Sequence, residues 1–260
     1  MFRVFLILIL FEYHTNCWAS NELRELEYAE KIEASFSLSS IGKIVRLQTE
    51  KKNFLALYTE TEKKENSGTA IILHSMGKHP DHTNLIKPLR TYLPQHHWAT
   101  LSLQLPVLSV SDKQKDYYSL FDAANTRIQA GIDFLVSAEV KNIVLIGDGL
   151  GGMMAAYYLK KNVDNVKVQA IVAVSLNVPD SEQEQAQTLD FIRKIDLPFL
   201  DIFVEYDVVG VTSTARKRRI SGKNNSGYRQ VKIKGEGHKK LHDEGLVVKR
   251  IYSWINWTFK

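Results

Sequence analysis

Residues 141–157, KNIVLIGDGLGGMMAAY, run from an apolar stretch into a burst of glycines and then into small residues of helical character. Two chemistries share that shape. Gly147, Gly149 and Gly152 satisfy G-x-G-x-x-G, in which a strand-to-helix loop brings bare backbone against a pyrophosphate at a helix N-terminus. Gly147 and Gly151 equally frame G-x-S-x-G, the sharp turn that lifts a nucleophile above a sheet. Gly149 then stands at the nucleophile position, between Asp148 and Leu150. A dinucleotide site needs an acid roughly 20 residues on, at the end of the next strand, to hold the ribose hydroxyls. Here that strand, VQAIVAVS (168–175), ends in Ser175, Leu176 and Asn177, and Asp148 inside the loop would repel phosphate. The second arrangement finds its partners downstream. Asp207 follows the apolar run PFLDIFVE (198–205) and His238 follows YRQVKIKG (228–235), which is the chain order nucleophile, acid, histidine. Upstream, TAIILH (69–74) leads into the turn His74-Ser75-Met76, at the place where a second oxyanion N–H is supplied.

These residues need elements to carry them. The spacing predicts strands over 69–74, 98–105, 142–147, 168–175, 198–205 and 228–235. It predicts helices over roughly 83–94, 118–138, 150–162, 184–195, 211–221 and 241–257. Strands alternating with helices of this length imply βαβ units and a mostly parallel sheet covered on both faces, with ligands at the strands' carboxyl ends. Residues 21–36 read as an amphipathic helix with Leu23, Leu26, Ala29, Ile32 and Phe36 on one side. KIVRLQTEKKNFLALYTET reads as a hairpin turning near Lys51–Asn53, which adds antiparallel strands at one edge. The fold class is α/β, in one domain over 20–260.

With strand, elbow, acid and histidine in this order, the chain resembles the α/β-hydrolase superfamily over most of residues 40–258. LHSMG is similar to its His-Gly turn, GDGLGG to its elbow, YDVV to its acid loop and GEGH to its histidine loop. The helix at 21–36, the hairpin, MGKHPDH and LQLP together resemble a bacterial exported family of unknown function within that superfamily, with glycine at the nucleophile position. The resemblance implies Asp207 and His238 as the acid–base pair, His74, Ser75 and Met76 as the oxyanion loop, and Gly147 to Gly151 as the elbow.

Gly149 has no side chain to attack a carbonyl, and three explanations follow. A carboxylate nucleophile at Asp148 would need glycines two residues to either side, where Ile146 and Leu150 stand, so its side chain should point away from the apex. A migrated nucleophile could be Ser75, which replaces the usual glycine of the His-Gly turn and could be activated by His238. The ordinary expectation for Ser75 is instead a hydrogen bond from its hydroxyl to the turn backbone. Thirdly, catalysis is lost or passes to a water activated by His238 and Asp207, and the pocket binds a small-molecule, acyl or peptide ligand. The leading expectation is a non-catalytic or weakly catalytic binding module. A non-standard ester or amide hydrolase is the alternative, and an interaction protein of the cell envelope is the second.

Composition bounds the setting. A positive charge, the apolar run VFLILILF (4–11) and small residues at Cys17 and Ala19 fit a secretory leader cleaved before Ser20. The run is too short to span a bilayer, which needs about 20 residues, and no later stretch is long enough. Cleavage removes Cys17, the single cysteine, so the mature chain has no disulfide and no thiolate site, which suits a bacterial periplasm. Arg3 and Glu12 leave together, so the net charge stays at +5. That charge is dispersed except for ARKRR (215–219), read as a solvated helical face around Arg216–Arg219 that could touch anionic lipid or cell-wall polymer. Nucleic acid is not an expected partner of an exported chain, and no cofactor is expected. HPDH offers His79, Asp81 and His82, but at no recognised zinc spacing, so no metal site is expected either. Nothing in the sequence specifies an oligomeric state.

Overall fold

The computed structural model describes residues 23–36, 41–109, 111–163, 167–238 and 245–260; the expected leader, 1–19, lies outside them. Eight strands form one sheet: β1 (Lys43–Gln48), β2 (Asn53–Thr59), β3 (Gly68–Leu73), β4 (Trp98–Leu103), β5 (Ile143–Asp148), β6 (Ala170–Val174), β7 (Phe199–Tyr206) and β8 (Tyr228–Gly237). Their spatial order is β1-β2-β4-β3-β5-β6-β7-β8. β1 pairs antiparallel with β2, and β2 with β4, while every other pair is parallel. The α/β class and its antiparallel N-terminal edge are as the hydropathy pattern implies. β3, β4 and β6 are buried along their whole length, because helices cover both faces and leave no side to alternate toward water.

The helices are α1 (23–36), α2 (Ile86–Tyr92), α3 (Phe121–Ser137), α4 (Leu150–Lys161), α5 (Thr188–Lys194), α6 (Val209–Thr212), α7 (Ala215–Ser221) and α8 (Leu246–Thr258). On one face Ile128 and Ile132 of α3, Met153 and Tyr157 of α4, and Phe191 of α5 pack over Ile71, Leu101 and Leu145. On the other, Ile86 and Leu89 of α2 and Val248, Ile251 and Ile255 of α8 pack over Ile72, Ile146 and Val172. Among the described residues no helix is long and apolar enough to cross a membrane.

The chain order reverses between β3 and β5. From β3 it steps outward to β4, then returns past β3 to lay down β5 on the other side. Loops leaving such a switch point part in opposite directions and open a crevice at the strands' carboxyl ends. The Ser75 turn and the Gly149 turn meet there.

Three local differences from the sequence pattern have physical causes. Leu23 and Leu26 are 60% and 56% exposed, and α1 docks through Ala29, Ile32 and Phe36 on Ile44, Leu55 and Leu57 together with a polar set described below. The expected helix over 211–221 is broken, since the Ser213 and Thr214 hydroxyls bond back to the Val209 and Gly210 carbonyls and close the α6 turn. Arg218, expected on a solvated face, is fully buried. Its Nε donates to Asp201 Oδ2 at 2.8 Å and its Nη1 to the Val211 carbonyl at 2.8 Å, and Tyr228 and Gln230 donate to the same carboxylate oxygen. A charge stranded at zero exposure is what α7 would leave by undocking. Arg218→Ala should therefore cost about 3–5 kcal/mol in urea unfolding, because it abandons a buried Asp201 carboxylate. The exposed neighbour Arg219→Ala should stay within about 0.5 kcal/mol of wild type.

Candidate active site

The turn after β5 is as tight as a polypeptide allows. A Cβ on Gly147 would sit 2.4 Å from the Gly152 nitrogen, and one on Gly151 would sit 2.5 Å from the Leu73 carbonyl oxygen. Both positions admit only glycine, because backbone fills the space. Gly149 between them has φ 48° and ψ −112°, a conformation L-residues rarely adopt, and its N–H still completes the ladder to the Val174 carbonyl at 2.8 Å. The geometry is that of a sharp strand-to-helix turn with no side chain at its apex.

Ser75 reaches that apex from β3. A Cβ on Gly149 would lie 2.6 Å from Ser75 Oγ, so the serine hydroxyl enters the space where an elbow side chain begins. The expected bond from this hydroxyl to the turn backbone is absent: among the described residues Ser75 Oγ donates no hydrogen bond. The Ser75 carbonyl ties the turn instead, accepting from His74 Nδ1 at 2.9 Å and from the Lys78 N–H at 3.1 Å. Ser75 Oγ does not donate to His238 either.

The acid and histidine are assembled. His238 Nδ1 lies 2.8 Å from Asp207 Oδ1. The Asp207 side chain is wholly buried, whereas that of His238 is 46% exposed. Asp207 also accepts the Ser175 hydroxyl at 2.6 Å and the Val208 N–H at 2.8 Å. Burial alone would raise the Asp207 pKa, but the bonds from His238, Ser175 and Val208 outweigh it and hold the carboxyl below its ordinary value. The Asp207 bond lifts His238 above the ordinary imidazole value against the opposing effect of its own burial. Among the described residues Nε2 of His238 is left without a protein partner, free to take a proton.

Asp148 completes the charge pattern. Desolvation pushes its half-buried carboxyl up to about 6, with His238 and Lys78 opposing and Asp207 adding to the shift. Asp148 is thus close enough to the pair to share its field, although it does not occupy the apex. Among the described residues the Met76 N–H, which follows Ser75, enters no turn or loop backbone hydrogen bond, and Leu150, which follows Gly149, opens α4.

A sequence profile described as "Protein of unknown function (DUF3530)" matches residues 24–119 and 111–257. The chain belongs to the DUF3530 family. Solved structures similar to it are α/β hydrolases. Est1E from Butyrivibrio proteoclasticus, in a structure described as having ferulic acid bound, is 16% identical with a TM-score of 0.65, covering 82% of this chain and 98% of its own. XC6422 from Xanthomonas campestris, described as an α/β serine hydrolase without a lid, is 11% identical with a TM-score of 0.64, covering 84% and 95%. The Pyrococcus furiosus esterase Pf2001 is 13% identical with a TM-score of 0.65, covering 84% and 93%. At these identities the likeness shows the fold. No curated protein sequence matches the chain.

Two residue groups hold the site through contacts that no local sequence pattern records. Ser175, at the end of β6, has φ 51° and is pinned there by its N–H to the Ile202 carbonyl and its hydroxyl to Asp207. The second group braces the Ser75 turn. His74 is buried, its Nε2 accepts the Leu105 N–H at 2.9 Å, and burial pushes its pKa down to about 3, so it is a neutral strut rather than a base. From α1, Tyr28 donates to the Gly77 carbonyl at 2.8 Å and Arg24 to the Gly77 and Leu108 carbonyls. Glu25 accepts from Arg127, which also donates to the Gln104 carbonyl. In HPDH, Asp81 is committed to the buried Arg90 at 2.6 Å and His79 Nδ1 accepts the Asp81 N–H. No three His, Cys, Asp or Glu of the described residues converge on a metal position.

Filling the apex separates strain from contact. Gly149→Ala should cost about 1–3 kcal/mol from the imposed positive φ. Because the Ser75 hydroxyl can rotate away, most of that loss should persist in the Ser75→Gly background. Urea unfolding of the four-variant cycle measures both terms.

Proposed function

We propose that the chain is an exported, non-standard hydrolase of an ester or amide, in which His238, oriented by Asp207, serves as general base for the Ser75 hydroxyl at an apex left bare by Gly149. The observation that supports it is the position of Ser75 Oγ, 2.6 Å from where an apex Cβ would sit and released from the turn backbone. In this reading Nε2 of His238 takes the Ser75 proton as Oγ attacks the carbonyl carbon. The N–H groups of Met76 and Leu150 receive the oxyanion. Collapse expels the alcohol or amine, which leaves with the proton from His238, and a water repeats the sequence to release the acid. Contacts between nucleophile and base are often long in substrate-free hydrolases and tighten around substrate. Esters of phenolic acids belong in the first panel, since one structural neighbour is described with ferulic acid bound.

A second reading is favoured by the missing Ser75–His238 bond and the bare apex. It keeps the pocket as a binding module for a carboxylate or amide ligand, with no turnover. A ligand then raises the melting temperature while every ester stays intact.

Rate against pH separates the two. The base must be neutral, and Asp207 and Asp148 hold His238 above the ordinary imidazole value while Lys78 works against them. Hydrolysis should rise with pH through an inflection above about 6.5. His238→Ala should lower the rate by about 10²–10⁴. Asp207→Asn should slow it and move the inflection to lower pH, because the imidazolium loses its counter-charge. Absence of turnover at any pH across the panel would leave the binding module. The export part is checked separately, as N-terminal sequencing of chain recovered outside the cytoplasm should begin at Ser20.

A further inference from the structure

Residues 208–235, which build α6, α7, their following turn and most of β8, contain eight Lys or Arg and no Asp or Glu. Two of the eight are spoken for. Arg218 is buried on Asp201, and Lys232 pairs with Glu205 at 3.1 Å. The other six, Arg216, Lys217, Arg219, Lys223, Arg229 and Lys234, are exposed, and among the described residues none forms an ion pair. Glu205 is the carboxylate that feels Lys234.

Arg216, Lys217 and Arg219 lie on α7 and Lys223 on the turn after it, while on β8 Lys234 alternates onto the same sheet face as Tyr228 and Gln230, and Arg229 onto the opposite one. α7 is fastened to β8 by Gln230 Nε2 donating to the Ala215 carbonyl at 2.8 Å and by Gly222 lying flat against the Tyr228 ring. β8 is the last strand of the sheet, and among the described residues its outer edge pairs with no other strand. The buried Arg218–Asp201 pair fixes α7 with its other cations turned outward. Ile220, next to Arg219, is 53% exposed among them.

We infer that the α7–β8 edge is a docking surface for an anionic lipid bilayer, with cations meeting the headgroup phosphates and Ile220 entering the interface. Charge complementarity sets the sign of the partner. The apolar side chain in the middle of the cations favours a bilayer over a soluble polyanion, which offers nothing for it to enter. Lysines on an exposed edge strand also discourage edge-to-edge pairing. That role accounts for Lys234 but not for Arg216, Lys217 and Arg219, which lie on a helix. The surface is independent of the Ser75 site, so hydrolysis and docking stand or fall separately.

Co-sedimentation of the full chain with vesicles decides it. With phosphatidylglycerol in phosphatidylcholine at low salt, the chain should pellet. It should stay in the supernatant with pure phosphatidylcholine, and binding should fall at least tenfold at about 0.5 M salt, where screening is strong. R216E/K217E/R219E should abolish pelleting, and Ile220→Ser should weaken it while leaving the salt dependence in place. K223E/K234E, on the turn and strand, gives a second charge reversal if the helix variant melts early. Failure to pellet with phosphatidylglycerol at low salt overturns the proposal. So does retention on a soluble polyphosphate with no vesicle binding, which would assign the face to a polyanion.

Discussion

The structure depends on one close approach of backbone to backbone. Where β5 turns into α4, neither Gly147 nor Gly151 leaves room for a Cβ, the first against the Gly152 nitrogen and the second against the Leu73 carbonyl. That contact sets α4 directly against the end of β3 and brings the Gly149 apex beside the turn carrying Ser75. A methyl group at either position would push the two strand ends apart. The crevice, the hydroxyl's reach and the placing of the Met76 and Leu150 N–H groups all follow from it.

Around this point, buried arginines hold what the ladder of strand hydrogen bonds does not. Arg127 joins α1, α3 and the end of β4 through Glu25 and the Gln104 carbonyl. Arg90 joins α2 to Asp81 of the histidine-rich loop and to the Ile41 carbonyl. Arg218 fastens α7 to β7 through Asp201. Each guanidinium takes several acceptors at once, and that multiple bonding offsets the cost of removing the charge from water. Arg90 holds the loop after β3 directly through Asp81, and Arg127 holds its neighbours, α1 and the end of β4.

The sheet was legible because its central strands are largely apolar runs, its edge strands alternate, and the helices between them are amphipathic at the right spacing. Asp207 and His238 were legible from position alone, each just past a strand end in the order the elbow demands. Three features were hidden. Ser175 supports Asp207 through a contact between side chains from neighbouring strands, which no local pattern records. Arg218 looked like part of a basic surface because the sequence does not reveal that Asp201, 17 residues earlier, is an inward-facing carboxylate. Leu23 and Leu26 looked buried by periodicity, but α1 is anchored by Arg24, Glu25 and Tyr28, whose acceptors lie far away in the chain. In each case the deciding partner is distant in sequence and polar, where hydropathy carries no information.

Glycine at the apex moves the question of chemistry from the elbow to the neighbouring turn. His238 is bonded to the buried Asp207 carboxylate, which also accepts from Ser175, Val204 and Val208, and the hydroxyl nearest the apex belongs to Ser75. The most direct measurement is peptide mapping by mass spectrometry after treatment with a fluorophosphonate. The account predicts a single phosphonyl adduct on Ser75, formed faster as His238 deprotonates and missing in Ser75→Ala. A wild-type chain that stays unlabelled through prolonged exposure, or an adduct on any other residue, would contradict it.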